Sequence, residues 1–303
     1  MAVSNVCVIG LGTMGMGAAK SCINAGLTTY GADINEKALQ VLKDYGAKKV
    51  AKDAGEFADE LDAVILLVVN AAQVKSVLFG NNDNGLASKL KKGTIVMVSA
   101  TIAAADAKEI AEGLHKHGLE MLDAPVSGGG VKANAGAMTV MASGKKELFE
   151  LMEPVFNGVS GKGGKVYNIG EEIGMGATVK IVHQLLAGVH IAVAAEAMAL
   201  AAKANIPLDV MYDVVTHAAG NSWMFENRMA HVVAGDYTPL SAVNIFVKDL
   251  GLVADTAKAL HEPIPLASTA LSMFTNASNM GLGGEDDSAV IKTFAGVNLP
   301  QKK

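Results

Sequence analysis

Of the 25 basic residues in this 303-residue chain only one, Arg228, is an arginine. Guanidinium is the usual planar fork for carboxylate and phosphate, so any anion bound here must be held mainly by backbone amides, hydroxyls and lysine. Cysteine is almost as scarce. Cys7 and Cys22 fall in a predicted first strand and first helix, too few for a disulfide framework. They read as buried thiols of a reducing compartment, and the expected location is the cytoplasm. Net charge is −5 with a pI near 5.8, which leaves no electrostatic footprint for nucleic acid. The N-terminus shows no basic segment followed by an apolar stretch and a small-residue cleavage site, so no targeting segment is read. Uninterrupted apolar runs are short. The strongest, Ala63–Val69, is far below the roughly 18–20 residues of a membrane span, and no membrane partner is expected. No metal-ligand spacing occurs, and His115-Lys116-His117 reads as a polar turn before Gly118.

What is present is a length of 303 residues, enough for two domains, and half of them are hydrophobic, enough to bury a sizeable core. The first half alternates short β-rich runs with helical patterns, as βαβ units do. Predicted strands are Val6–Ile9, Thr28–Ala32, Ala63–Val69, Thr94–Ser99, Glu120–Leu122, Met138–Met141 and Val166–Ile169, with helices such as Met14–Ala25 and Ala105–His115 between them. Gly26 stands where a helix C-cap glycine belongs. Beyond about Gly170 the texture changes. Met175–Ala204 is alanine-rich and proline-free, the pattern of a long buried helix, and further helices are predicted at Pro207–Ala218, Ala242–Leu260 and Pro265–Asn279. The expected architecture is an α/β Rossmann domain over residues 1–168, a mostly parallel doubly wound sheet. An all-α domain, residues 169–303, follows and is entered through the long helix. Such a helix must bury both faces, against neighbouring helices or a second subunit, and a homodimer or homotetramer is expected.

Gly10-Leu11-Gly12-Thr13-Met14-Gly15 is a G-x-G-x-x-G between a predicted strand and a predicted helix. Gly10 would make the tight turn, Gly12 would admit a pyrophosphate to the backbone, and Gly15 would let helix and strand pack. Taken alone it is also compatible with an ordinary glycine-rich turn. Asp33, 18 residues past Gly15, ends the second predicted strand where an acidic residue accepts the ribose diol. Its alternative role is a turn or cap residue in Asp33-Ile34-Asn35. With no arginine nearby and only Lys37 to meet a 2′-phosphate, NAD is expected rather than NADP.

Two further segments carry chemistry. In Asp123-Ala124-Pro125-Val126-Ser127-Gly128-Gly129-Gly130, three glycines and a hydroxyl can cradle a carboxylate, or simply form a flexible turn. In Gly174-Met175-Gly176-Ala177-Thr178-Val179-Lys180-Ile181-Val182-His183-Gln184, the residues Lys180, His183 and Gln184 share one helix face. A lysine on the buried side of an alanine-rich helix loses affinity for its proton from a reference pKa of about 10.4 toward neutrality and becomes a usable base. The other reading is a lysine that snorkels to solvent.

Those three segments, together with Lys248-Asp249-Leu250, occur in an order that resembles the β-hydroxyacid dehydrogenase family, which includes 3-hydroxyisobutyrate dehydrogenase and tartronate semialdehyde reductase. The resemblance spans essentially the whole chain. It implies a Rossmann domain, an all-α domain and an active site in the cleft between them. It further implies Lys180 as the catalytic acid/base, Ser127, Gly128 and Gly129 on the substrate carboxylate, and Lys248 near nicotinamide and substrate. Thr101 matches the family's contact to the nicotinamide ribose, although Ser99-Ala100-Thr101 departs from the usual serine-threonine pattern. His183-Gln184 stands where the family usually has two asparagines. With Leu185-Leu186-Ala187-Gly188-Val189-His190 it resembles the branch that acts on four-carbon sugar acids such as L-threonate. Gln184 would orient a substrate hydroxyl and His183 would add a donor or acceptor; alternatively, His183 only bonds neighbouring backbone. His190 reads as a packed or interface histidine.

The expected activity is therefore NAD-dependent oxidation of a small hydroxy acid, L-threonate first, to a 2-oxo four-carbon acid. Tartronate semialdehyde or 3-hydroxyisobutyrate chemistry is the alternative, against which His183-Gln184 argues. A phosphogluconate-type enzyme fits poorly with one arginine. A silent dinucleotide-binding scaffold is disfavoured because Lys180 is present. Arg228 reads as an ion-pair or cap residue in a stretch, Asn221–Arg228, between helices, where Ser222 or Trp223 could touch substrate.

Overall fold

The computed structural model of the protein describes residues 2–302. The chain forms two compact units, Met1–Lys180 and Ile181–Lys303. In the first, β1 (Asn5–Ile9), α1 (Thr13–Asn24), β2 (Thr28–Ala32), α2 (Glu36–Tyr45), β3 (Lys49–Ala51), β4 (Ala63–Leu66), α3 (Ala71–Phe79), β5 (Ile95–Val98), α4 (Ala104–Lys116) and β6 (Glu120–Asp123) follow in βαβ fashion. Then come β7 (Val126–Ser127), α5 (Gly129–Asn134), β8 (Thr139–Ser143), α6 (Lys146–Leu151), α7 (Glu153–Ser160) and β9 (Lys165–Gly170). The nine strands of the described residues make one sheet in the order β3-β2-β1-β4-β5-β6-β8-β7, with β9 on β8. Pairings from β3 to β6 are parallel, whereas β8 runs antiparallel to β6 and β7. The order reverses at β1/β4, the switch point outside which doubly wound sheets bind ligands.

The strands are apolar on both faces because helices cover both. Val6 and Val8 of β1 join one core with Ile65, while Cys7 and Ile9 join the other with Val64 and Leu66. That two-residue alternation without polar positions is the mark of a parallel sheet buried on both sides. Both cysteines are free and buried, and burial pushes the Cys22 thiol up to about 12.

The helix α8 (Met175–Lys203) begins in the first unit, and α9 (Leu208–Thr216), α10 (Trp223–Ala234), α11 (Val243–Leu260) and α12 (Pro265–Ala277) complete the second. The units divide inside α8, later than the change in composition near residue 168, because the first turn of α8 packs on the sheet, with Ala177 in its core. In the second unit Met198, Phe225, Met229, Phe246 and Phe274 share one core, and the Phe246 and Phe274 rings lie 5.2 Å apart.

Several sequence expectations need correction. β4 ends at Leu66, not Val69, and the short strands β3 and β7 escaped notice. The stretch around Arg228 is not a connection: Trp223–Ala234 is helical, with the Ser222 hydroxyl accepting from Phe225 N at 3.0 Å. Ser222 is thus a helix cap. His115 and Lys116 are the last residues of α4 rather than a turn, and the ring of His117 bonds Asp83. By length and mean hydropathy, 1.9, α8 does have the apolar character of a membrane span. No uninterrupted apolar run marks it in the sequence, because Lys180, His183, Gln184 and His190 divide it. Half of that stretch is buried in the fold, as a core helix requires.

Candidate functional site

The turn after β1 is built so that only glycine fits. Gly10 has φ +89°, and its amide donates to Ala32 O at 2.9 Å. A Cβ on Gly10 would lie 2.7 Å from Leu67 O, and one on Gly15 only 1.7 Å from Gly10 O. Gly12 differs, for a Cβ there meets nothing within 4 Å. Open space therefore faces the start of α1, where Gly12 contributes no side-chain cap and Thr13 and Met14 open the first turn. Uncapped amides at a helix N-terminus, approached across a bare glycine, suit a phosphate.

Asp33 combines both roles weighed from sequence. Its Oδ1 accepts from Asn35 N at 2.8 Å, the expected turn, while its Oδ2 accepts from Leu11 N at 2.5 Å and braces the glycine loop. A carboxylate oxygen has a second lone pair, so Asp33 retains acceptor capacity for a ribose diol. Thr101 sits, half-buried, in the loop between β5 and α4. The turn, its open face and the Asp33 carboxylate fit a dinucleotide.

The segment from Asp123 to Gly130 is structured rather than loose. Asp123 ends β6, Val126–Ser127 forms β7, and Gly128 (φ +131°) and Gly129 (φ +64°) swing the chain into α5. A Cβ on Gly130 would lie 2.3 Å from Thr13 Cγ2, and one on Gly17 would press on Ala133. Close packing of α5 on α1 thereby sets the Ser127–Gly129 loop beside the glycine turn that follows β1. That is the physical use of the third glycine.

Asp123 has a role that sequence reasoning missed. Its buried Oδ2 accepts from Gly174 N and Ala177 N, each at 2.9 Å, and from Ser143 Oγ at 3.3 Å; Ser143 Oγ in turn accepts from Gly176 N at 3.0 Å. The carboxylate thus caps the start of α8 from 51 residues away. Burial raises the Asp123 pKa against these opposing hydrogen bonds, and its Oδ1 has no hydrogen-bond partner among the described residues. Gly174 has φ +100°, and a Cβ on Gly176 would lie 2.5 Å from Asp123 O. The Gly174-x-Gly176 spacing lets the helix start touch the sheet, with Lys180 one turn past Ala177 and 6% exposed.

In the second unit α8 packs on α11, where a Cβ on Gly188 would lie 2.9 Å from Leu250 Cδ2. At this crossing Gln184 Nε2 donates to Asp249 Oδ2 at 2.5 Å, and the His183 ring Nδ1 lies 3.0 Å from Gln184 Oε1. Lys248 Nζ lies 2.8 Å from Asp249 Oδ1, off the hydrogen-bonding direction. Asp249 is 2% exposed, and a carboxylate so buried needs such partners. Sequence reasoning quoted Asp249 in a motif without giving it a role. Its partner lies 65 residues away, so no local signal shows the pairing.

Other candidates separate from this set. Arg228 Nε pairs with buried Asp287 at 2.5 Å, a structural ion pair. Burial pushes Asp287 up to about 6, opposed by Arg228 and reinforced by Asp286. Trp223 is exposed at the start of α10, and His190 is half-buried on α8. Among the described residues no cluster of His, Cys, Asp and Glu could hold a metal.

Comparison with known proteins agrees with this geometry. The family described as the NAD binding domain of 6-phosphogluconate dehydrogenase matches residues 5–170. The family described as NAD-binding of NADP-dependent 3-hydroxyisobutyrate dehydrogenase matches residues 174–294. L-Threonate dehydrogenase of Haemophilus influenzae is 71% identical over 98% of this chain and 97% of its own. The enzyme of that name from Cupriavidus necator is 51% identical, covering 98% of both chains. The crystal structure of a 3-hydroxyisobutyrate dehydrogenase from Salmonella typhimurium superposes with a TM-score of 0.91 at 65% identity, over 96% of this chain and 99% of that one. With a glycine turn joined to a second glycine loop and a helix-borne lysine, and matched over nearly its whole length, this chain belongs to the β-hydroxyacid dehydrogenase family, as an NAD-dependent dehydrogenase acting on CH–OH groups.

Proposed function

We propose that the protein oxidises L-threonate to a 2-oxo four-carbon acid with NAD. What carries the reading is the assembly within the first unit. Gly130 against Thr13 sets the Ser127–Gly129 loop beside the dinucleotide turn, and Asp123 ties the same segment to the helix that bears Lys180. The substrate is supported by His183-Gln184 and by five L-threonate dehydrogenases at 51–71% identity.

The residues that would hold the cofactor are Gly10–Gly15 on the pyrophosphate, Asp33 on the adenosine ribose, and Thr101 and Lys248 toward the nicotinamide. NAD supplies the hydride acceptor when bound. The Ser127 hydroxyl and the amides of Gly128 and Gly129 take the substrate carboxylate, in a chain almost without arginine. Lys180 Nζ accepts the proton of the reacting hydroxyl. His183 and Gln184, one turn further along α8, orient the remaining hydroxyls. Two unpaired thiols support a cytoplasmic setting. A homodimer or homotetramer is supported by the exposed Val182, Leu186, Val193 and Leu200 on α8, and light scattering reads that mass directly.

The test is NADH formation with L-threonate, D-threonate, D-erythronate, D-glycerate and 3-hydroxyisobutyrate. Turnover concentrated on L-threonate is the expected result. Preference for 3-hydroxyisobutyrate, the chemistry in the name of the Salmonella relative, or for glycerate would replace the substrate and leave the family intact.

A further inference from the structure

The side chains around Asp249 form a polarised chain, and its direction sets the protonation of His183. Asp249 is buried, and its carboxylate accepts hydrogen bonds but donates none. It is held from one side by the Lys248 ammonium, 2.8 Å from Oδ1. The atom that Gln184 turns toward Oδ2 must therefore be its NH2 donor, and a bond to an ionised carboxylate is charge-assisted. With Nε2 committed to Asp249, the atom that Gln184 presents to its neighbour is the carbonyl Oε1, an acceptor. His183 Nδ1 lies 3.0 Å from that Oε1. Two acceptors cannot bond each other, so Nδ1 must carry a hydrogen.

We infer that Asp249, acting through Gln184, fixes neutral His183 as the Nδ1–H tautomer, so that its Nε2 is a lone-pair acceptor that selects a substrate hydroxyl neighbouring the reacting carbinol. Gln184 is the element that makes this work, since a side-chain amide is a donor at one end and an acceptor at the other and transmits the polarity of Asp249 to the imidazole. A ring nitrogen whose role is dictated by the partner of the other nitrogen is a known device of histidine sites. Lys180, three residues earlier on the same helix face, serves the reacting hydroxyl, and His183 serves the next one. In this assignment Asp249 is a positioning residue and His183 a specificity residue, and both rest on the reading of the substrate as a polyhydroxy acid.

The experiment has two arms. The first records long-range proton–nitrogen correlation spectra of histidine-labelled protein, with His183 assigned by its loss in His183→Asn. Wild type is expected to show Nδ1–H at His183. In Asp249→Asn the Lys248 ammonium holds the asparagine oxygen, so the new NH2 faces Gln184; the Gln184 amide turns over, and His183 switches to Nε2–H. Gln184→Met, which keeps length and loses both bonds, releases the preference if the Asp249 variant does not fold. An Nε2–H tautomer in wild type, or an unchanged Nδ1–H tautomer in the variant that folds, overturns the inference. The second arm compares L-threonate with its 3-deoxy and 4-deoxy analogues. In Asp249→Asn the ratio of kcat/KM for L-threonate to that for one of the analogues is expected to fall at least about tenfold, the scale of one lost hydrogen bond. An equal fall on all three substrates would mean general loosening and overturns the specificity role. The tautomer arm needs no substrate, so wild-type protein inactive on L-threonate counts against the proposed function alone.

Discussion

Water stabilises a lysine ammonium by far more than most protein interiors can, so a lysine buried to 6% exposure is costly unless it is partnered or loses its proton. Lys180 occupies such a place on a helix whose neighbours are alanine, valine and isoleucine. Lys180→Ala is expected to lower kcat by about 10²–10⁴, the range of general acid–base catalysis, while leaving NAD affinity within a few-fold. Steady-state NADH formation beside a fluorescence titration of NAD separates the two; an equal loss of NAD binding would assign Lys180 to the cofactor instead. Asp33, proposed to hold the adenosine ribose, is the opposite case, with a part in binding rather than chemistry. Asp33→Ser removes a charged acceptor and is expected to weaken NAD by about ten- to a hundredfold, on the scale of about 1.5–3 kcal/mol for a hydrogen bond to a charged group. It should also narrow the preference over NADP, which competition binding would show. Because Leu11 N donates to Asp33, part of the loss will come from a slackened loop. Both residues stood out in the sequence for a local reason. Lys180 is a charge amid apolar helix positions, and Asp33 ends a strand at the proper distance from a glycine turn.

At the scale of elements, the decisive joint is the start of α8. The amides of Gly174, just before it, and of Ala177, in its first turn, bond one carboxylate oxygen of Asp123, and Gly176 lets the helix touch the sheet. Asp123→Ala leaves those amides buried and unpaired, and a cost of about 1–3 kcal/mol is expected. Urea unfolding followed by far-UV circular dichroism measures it. Asp123→Asn keeps an acceptor and removes the charge that burial disfavours, so it should cost less than alanine. If both variants unfold alike, the oxygen at Asp123 is not what anchors the helix. The sequence showed Asp123 and Gly174-x-Gly176 as separate motifs. Only folding brings β6 and the helix start together, which is why the glycines were legible as a pattern and their purpose was not. The same holds for α10. Its cap, Ser222, precedes Trp223-Met224-Phe225 as a cap should, but the preceding Ala219-Gly220-Asn221 drew the eye to a connection.

At the scale of the whole molecule, the burial of charge sets how stability responds to pH. Asp287 is fully buried beside Arg228 and Asp286, and its pKa stands at about 6 against an ordinary value near 3.8. The folded state therefore holds a proton that the unfolded chain has already released, and this group's contribution is greatest below about pH 4 and is lost as pH rises through about 6. The stability of wild type relative to Asp287→Asn should accordingly decline across that window, as urea midpoints at several pH values would show. A difference that rises with pH would mean that the Arg228 pairing outweighs desolvation.

How much could be read before folding was set by range. Strand and helix periods, the turn glycines and the acidic residue after β2 are fixed by contacts within one βαβ unit, so the sequence by itself determined the Rossmann fold, the glycine turn after β1 and the long alanine-rich helix α8. Boundaries slipped where a run of apolar residues outlasted its ladder, as at Leu67–Val69. The tertiary structure alone decided which polar groups meet across long stretches of chain: Asp123 with the first amides of α8, Arg228 with Asp287, and Gln184 with Asp249. Such pairings leave no periodic trace, because each is selected by the cost of leaving one particular buried group unsatisfied.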